Sequence, residues 1–536
     1  MARMTCGEAA VGLLKAYGVD TVFGIPGVHT LELYRGLGTH GLRHVTVRHE
    51  QGAAFMADGY ARVSGRPGVC MLISGPGVTN AATPLAAAYS DSSPVLAISS
   101  VQARDGMGMG RGDLHEVTVQ SATTAPFTAF SATAFTPSHL PNLIARAFGV
   151  FAAQRPRPVH IEVPTDVLAE TLDVDLAPRP LPEPPAPAAD AVARAARLLA
   201  GAKRPVMLVG AGANGQAEGV TRLAERLGAA VLLTRASKGA VREDHPLCLG
   251  FSTRRAGSLA LLAEADVVLA VATELAATDH MQARLPLDGA RLVRIDLDPG
   301  ALVRDYPAEV PLLGDAGRTV AALLAELGPA PNRPVGFHGS DKLDAVRKAN
   351  EGARTPKQQI HIRALAALRE ALPPEAFIAA DSTQLAYTGS IEFASLSARS
   401  WLYNVGFGTL GFALPAAIGA KLAAPDRPGI VIVGDGGMLF TATELATAAA
   451  LRLPLPIVLW NNDSYAQIKD DMAAKGFPQI GVELENPDWL LLAKAFNCHG
   501  QRPDSRAGLV EAVQRALKAD RPTLIEVREN APFLAA

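Results

Sequence analysis

Two hydrophobic patterns alternate along the chain. Short β-branched or Leu-rich runs, Val69–Ile73, Val95–Ser99 and Val159–Val163, alternate with Ala- and Leu-rich stretches of helical spacing. The alternation returns at Val206–Val209, Ala230–Leu233 and Val267–Ala272, and again at Phe377–Ala379, Ile430–Val433, Ile457–Trp460 and Thr523–Val527. Runs apolar on both faces and separated by helices predict parallel βαβ units, so each group reads as one doubly wound parallel-sheet α/β domain. Proline-rich segments divide the groups: Asp175–Asp190 and Gly328–Ser340, the latter with Pro329, Pro331 and Pro334. Domains are therefore expected at 1–174, 190–327 and 355–536, with the first and third sharing one rhythm.

Composition narrows the class. A length of 536 residues fits about three domains, and 49% apolar against 19% charged residues excludes global disorder. A formal net charge of −2 supplies no basic field for nucleic acid or an anionic membrane, so neither is an expected partner. Cys6, Cys70, Cys248 and Cys498 lie far apart, which argues against a zinc site or disulfide framework and suits a reducing cytoplasm. Arg3, Glu8 and Lys15 break up any secretory apolar segment near the start, and polar and glycine residues interrupt Cys70–Ser90 as a membrane span.

Two glycine-rich turns follow strands. Gly210-Ala-Gly212-Ala-Asn-Gly215 has the context of a dinucleotide fingerprint, but the next strand ends Leu233-Thr234-Arg235, without the acidic residue that holds a ribose. An NAD-linked oxidoreductase rests on that turn alone. Gly434-Asp435-Gly436-Gly437 is more specific. It ends the strand Ile430–Val433, the helical stretch Thr441–Leu451 follows, and the strand Ile457–Trp460 ends in Asn461-Asn462. Right-handed βαβ geometry places such strand ends side by side, so Asp435 and Asn462 converge at the carboxyl edge of the sheet. A carboxylate and an amide oxygen are hard ligands suited to Mg²⁺, and glycines before a helix N-terminus admit a phosphate.

GDG, 24 residues and NN together resemble the thiamin diphosphate signature. Gly24-Ile25-Pro26-Gly27, Arg48–Ala54, Ala57–Arg62, Ser74–Asn80 and Gly406–Gly411 are similar to the acetolactate synthase and 2-oxo-acid decarboxylase group, and the likeness spans essentially the whole chain. The resemblance implies a pyrimidine-binding first domain, a central domain and a diphosphate-binding third domain. It implies that Glu50 hydrogen-bonds the pyrimidine N1′ and favours the imino tautomer whose exocyclic nitrogen removes the thiazolium C2 proton. Leu410 would wedge the two cofactor rings into a V, the Gly408 carbonyl would accept from the 4′-amino group, and Gln384 would approach the diphosphate beside Gly436 and Gly437. The Ser464 carbonyl would join Asp435 and Asn462 on Mg²⁺. A homodimer is the implied minimum active unit and a homotetramer the common form.

Departures from the synthases point to the substrate. Val28-His29-Thr30 follows the glycine-proline turn, and His115 and Glu116 stand where synthases carry Phe and Gln. Asp471 occupies the position of the Trp that selects the second oxo acid. Segments 24–37, 381–389 and 461–472 are similar to 5-guanidino-2-oxopentanoate (2-oxoarginine) decarboxylases of arginine catabolism, which release CO₂ and 4-guanidinobutanal. On that resemblance Asp471 pairs with a guanidinium, Asp470 is the fallback, Glu116 also faces the substrate, and His29 and His115 bind carboxylate or relay protons. The alternative within the family is acetolactate synthesis or another carboligation. FAD would belong to that branch, but Phe251–Arg255 does not resemble the flavin-contacting loop of the synthases.

Overall fold

The computed structural model describes residues 2–329 and 336–535. Pro331 and Pro334 of the second proline-rich segment fall outside the described residues. The first sheet contains β1 (Thr21–Gly24), β2 (Arg43–Thr46), β3 (Gly68–Leu72), β4 (Val95–Val101), β5 (Phe130–Thr133) and β6 (Val159–Pro164). All are parallel, in the order β2-β1-β3-β4-β6-β5. The central sheet contains β7 (Pro205–Val209), β8 (Ala230–Leu233), β9 (Val267–Val271), β10 (Arg291–Asp296) and β11 (Val310–Leu313), ordered β8-β7-β9-β10-β11. The third contains β12 (Phe377–Ala380), β13 (Trp401–Tyr403), β14 (Gly429–Gly434), β15 (Pro456–Asn461), β16 (His499–Gln501) and β17 (Thr523–Arg528), ordered β13-β12-β14-β15-β17-β16. Relabelled within each block, the first and third sheets have one and the same strand order. Their shared sequence rhythm is a shared topology, built from apolar runs buried on both faces.

In each sheet the strand order reverses beside the block's first strand, between β1 and β3, β7 and β9, and β12 and β14. Open α/β sheets bind ligands outside the carboxyl ends of the strands at such a point. In the central sheet the turn after β7 packs closely on the end of β9. A Cβ on Gly210 would lie 2.2 Å from the Ala272 carbonyl oxygen, and one on Gly212 would lie 2.8 Å from the Ala272 Cβ. Gly210 and Gly212 are required by packing against the end of β9, which gives two of the three glycines of the dinucleotide-like pattern a structural cause. The central core also runs past the expected boundary at 327, because Phe337, Leu343 and Val346 pack among its buried residues.

The first and third blocks share a core. Helix α1 (Glu50–Ser64) crosses the helix Ala413–Ala423 so closely that a Cβ on Gly419 would stand 1.8 Å from the Met56 carbonyl oxygen. Phe55 meets Phe412 edge to face beside this crossing. Arg62 fastens the joint: its guanidinium binds Asp58 and Asp91 and donates to the Tyr403 carbonyl, while Asp91 accepts the Val405 and Gly406 N–H groups. Among the described residues no helix is long and apolar enough to cross a membrane.

Candidate active site

In the third block, β14 and β15 lie side by side with Gly434 opposite Trp460, so their ends deliver Asp435 and Asn462 to one edge. Asp435 Oδ2 accepts the Ser464 N–H at 3.2 Å and the Asn486 Nδ2 at 2.9 Å. Burial raises its pKa above the ordinary carboxylate value. Asn462 donates through Nδ2 to Glu529 Oε2 at 2.8 Å, which orients the amide so that Oδ1 stays available as an acceptor. With the Ser464 carbonyl these form an all-oxygen donor set, which fits Mg²⁺. Among the described residues no three His, Cys, Asp or Glu side chains are grouped to hold a metal, so the remaining ligands would come from phosphate and water. Gly436 opens the cradle, since a Cβ there would lie 2.5 Å from the Tyr465 ring. Gly437 lies beside Asp381 across the same edge.

Asp381 follows β12, and no motif singles it out. Burial pushes its carboxyl up to about 6. Its Oδ2 accepts the Gly411 N–H at 2.9 Å and its Oδ1 the Ser382 N–H at 2.8 Å, while Thr441 Oγ1 donates to the Gly411 carbonyl. The carboxylate thereby fixes the turn that carries Gly408, in a left-handed conformation with φ +69°, and the half-buried Leu410. Gln384 begins the helix Gln384–Glu392, and its Nε2 donates to Asp470 Oδ2 at 2.8 Å. Lys357 Nζ reaches the same oxygen at 2.8 Å. Burial opposes ionisation of Asp470, but the bonds from Lys357 and Gln384 outweigh it and hold the carboxyl below its ordinary value. Asp471 points elsewhere: its Oδ1 accepts Gln467 Nε2 one turn back, on an exposed face. Asp470 is thus the one of the pair joined to Lys357 and Gln384, while Asp471 stays within its own helix.

The first block presents its residues at the equivalent reversal, between β1 and β3. Glu50 opens α1, and its Oε2 accepts Asn80 Nδ2 at 2.9 Å. The preceding backbone is pinned by Glu444 of the third block, whose Oε1 accepts the Arg48 and His49 N–H groups at 3.0 and 3.1 Å. His29 and His115 meet edge to face with ring centroids 5.3 Å apart, and His29 Nδ1 lies 2.5 Å from Ser74 Oγ. Burial and the neighbouring His115 lower the His29 pKa. Gln120, which no motif marks, organises this edge: its Oε1 accepts the Gly75 N–H at 2.6 Å and its Nε2 donates to Glu162 at 3.0 Å. Glu116 is turned onto its own loop, where it accepts the Gly110, Gly112 and Asp113 N–H groups. It is not brought to the His29–His115 pair by any hydrogen bond among the described residues.

Within one chain no hydrogen bond or ion pair among the described residues joins Glu50, His29 or His115 to Asp435, Asn462 or Ser464. Both edges carry large apolar side chains in solvent: Val28, Leu31 and Leu114 in the first block, Phe440, Ile468 and Ile480 in the third. In the central block, Arg254 of the loop 251–255 donates to the Thr278 and Asp279 carbonyls, and Arg255 pairs with Glu392.

Two parallel sheets of identical order, each bearing polar residues at its strand reversal, define a two-part cofactor-binding architecture around a central domain. Residues 4–123, 192–323 and 383–527 match the N-terminal TPP binding domain, the central domain and the C-terminal TPP binding domain of thiamine pyrophosphate enzymes. A probable 2-ketoarginine decarboxylase of Pseudomonas aeruginosa is 50% identical over 528 residues, covering 98% of this chain and 94% of that protein. An acetolactate synthase of Mycobacterium bovis is 33% identical over 96% of this chain and 86% of its own length. A probable acetolactate synthase large subunit of Methanocaldococcus jannaschii is 32% identical over 97% of this chain and 91% of its own. The chain belongs to the thiamine pyrophosphate enzyme family.

Proposed function

We propose that the protein is a thiamin diphosphate- and Mg²⁺-dependent decarboxylase of 2-oxo acids, acting on 5-guanidino-2-oxopentanoate to give 4-guanidinobutanal and CO₂ in arginine catabolism. The observation that carries this reading is the end-to-end 50% identity to a probable 2-ketoarginine decarboxylase. The cofactor, when bound, supplies the nucleophilic carbon and the electron sink for the electrons of the broken C–C bond.

The chain's own residues bind, orient and move protons. Asp435, Asn462 and the Ser464 carbonyl hold Mg²⁺, and Gly436 and Gly437 leave room for the diphosphate. Leu410, on the turn fixed by Asp381, supports the cofactor rings, and the Gly408 carbonyl accepts the 4′-amino group. Glu50 holds a proton at N1′ of the pyrimidine. His29 and His115 bind the substrate carboxylate and deliver a proton to the product carbon, a role that ring nitrogens able to donate or accept a proton can fill. A homodimer is the active unit: Glu50 and the histidines of one copy meet the metal edge of the other, and the exposed apolar side chains at both edges cover each other and exclude water. A homotetramer would pair two such dimers. Four buried, unpaired cysteines suit a reducing compartment such as the cytoplasm.

The test is CO₂ release from a panel of 2-oxo acids with guanidino, apolar and small side chains, with and without thiamin diphosphate and Mg²⁺. Turnover of pyruvate without turnover of the guanidino acid would sink the assignment. The synthase relatives support a second reading, carboligation to an acyloin. Analysis for free aldehyde against acyloin separates the two. No FAD is assigned, because Arg254 and Arg255 are committed to partners within the chain.

A further inference from the structure

The rim of the metal edge carries two carboxylates, Asp470 and Glu529, the second of which also orients Asn462. Lys357, in the first turn of the helix Pro356–Ala371, donates Nζ to Asp470 Oδ2 at 2.8 Å and faces Glu529 Oε1 at 3.8 Å. His361, one turn on, sits 3.5 Å from the same Glu529 oxygen. Asp470 and Glu529 therefore share one contacting ammonium, and Glu529 also accepts Asn462 Nδ2.

Gln384 adds a second, independent sign. Its side chain is 7% exposed, and its Nε2 bond to Asp470 fixes the amide, because the flipped orientation would set oxygen against carboxylate. Its Oε1 is then a buried acceptor with no donor. A bare acceptor beside a carboxylate that shares its ammonium fits a cation with several donors in a planar fork, which describes a guanidinium. The resident ammonium can yield the position, since Lys357 sits on a long flexible stem, partly in solvent.

We propose that Lys357, Gln384, Asp470 and Glu529 form the subsite for the substrate's cationic tail, with the Lys357 ammonium a resident stand-in that the tail's guanidinium displaces. The subsite rests on the reading of the protein as a decarboxylase of a guanidino 2-oxo acid. It assigns tail recognition to four side chains drawn from 357 to 529, of which Gln384 and Asp470 stand in the segments 381–389 and 461–472 and Lys357 and Glu529 lie outside them.

The experiment measures kcat/KM of the holoenzyme for 5-guanidino-2-oxopentanoate and for the uncharged 2-oxohexanoate, in the wild type, Lys357→Met and Asp470→Asn. Lys357 is partly and Asp470 about half exposed, and a thermal melt of each variant beside the wild type controls for folding. Removing the internal competitor in Lys357→Met raises the guanidino-to-neutral ratio about threefold or more, and Asp470→Asn lowers it about tenfold. Ratios within about twofold of wild type in both variants overturn the subsite. Calorimetric titration with 4-guanidinobutanoate keeps the two readings apart. Binding strengthened by Lys357→Met and weakened by Asp470→Asn, without turnover of the guanidino acid, leaves the subsite standing and removes the catalytic reading. Turnover with unmoved ratios does the reverse, and neither binding nor turnover removes both.

Discussion

Glu50 carries one hydrogen bond from Asn80 and lies at the start of a helix whose packing does not depend on its side chain. Glu50→Gln keeps the shape and an oxygen for Asn80 but cannot exchange a proton at N1′. We expect kcat to fall about 10²- to 10⁴-fold while the melting temperature stays within about 2 °C of wild type. Steady-state kinetics beside a thermal melt checks both halves. His160 is different, being wholly buried among Ser99, Thr124 and Ser131, with its pKa pushed down to about 4. Its folded pKa lies below the unfolded value of about 6.5, so its contribution is intact above pH ~6.5 and is lost as pH falls towards 4. The loss amounts to about 3 kcal/mol. His160→Asn should therefore melt well below wild type at neutral pH, and the gap should narrow in acid; a gap unchanged between the two conditions refutes the assignment. At this scale the sequence was legible where geometry is local, as in the adjoining strand ends that carry Asp435 and Asn462. It favoured Asp471 with Asp470 as the fallback and had no sight of the bonds from Lys357 and Gln384 to Asp470, because neighbours on a helix point about 100° apart and those partners are remote in the chain. Asp381, Gln120 and Glu529 were invisible for the same reason, since each acts through residues to which no spacing connects it.

Among elements, the helix crossing between the first and third blocks sets how the two sheets stand. A Cβ on Gly419 would meet the Met56 backbone, which cannot rotate away, so Gly419→Ala should destabilise by about 1–3 kcal/mol. Gly149, inside the helix His139–Ala153, has open space around its missing Cβ, so Gly149→Ala should be neutral or stabilise by up to about 1 kcal/mol. Denaturant unfolding of the pair separates close approach from helix propensity. Most interior strands were readable because β3, β4, β6, β14, β15 and β17 are buried on both faces and mainly apolar, His160, Glu162 and Glu526 being polar exceptions, whereas the interior strands β1 and β10 were not read. Edge strands were not: Arg43–Thr46 and His499–Gln501 are short and carry polar residues toward solvent, and their strand state comes from the neighbour they pair with. The stretch 441–451 is not one helix either, since the chain breaks between Asp435–Thr441 and Glu444–Ala450, where Glu444 turns to hold Arg48 and His49.

At the scale of the whole molecule, three domains with no general charge field were expected, and three parallel sheets are present; how copies assemble is not written in any one chain. The resemblance assigned pyrimidine and diphosphate binding to separate blocks, and each has its own ligand edge at the same topological position. If the functional centre is built across two copies, inactivating substitutions on opposite edges must complement. In a hybrid of Glu50→Gln and Asp435→Ala subunits, one centre receives both lesions and the other receives neither. Random pairing of equal amounts makes half of the dimers hybrid, each with one intact centre of two, so activity should return to about a quarter of wild type from two inactive parents. Were Glu50 and Asp435 of the same copy to work together, every centre in the hybrid would carry one lesion and no activity would return. The measurement is CO₂ release after the two variants are dissociated, mixed and reassociated with thiamin diphosphate and Mg²⁺, with each variant taken alone through the same cycle. Inert mixtures that have demonstrably exchanged subunits would place the whole centre within a single chain.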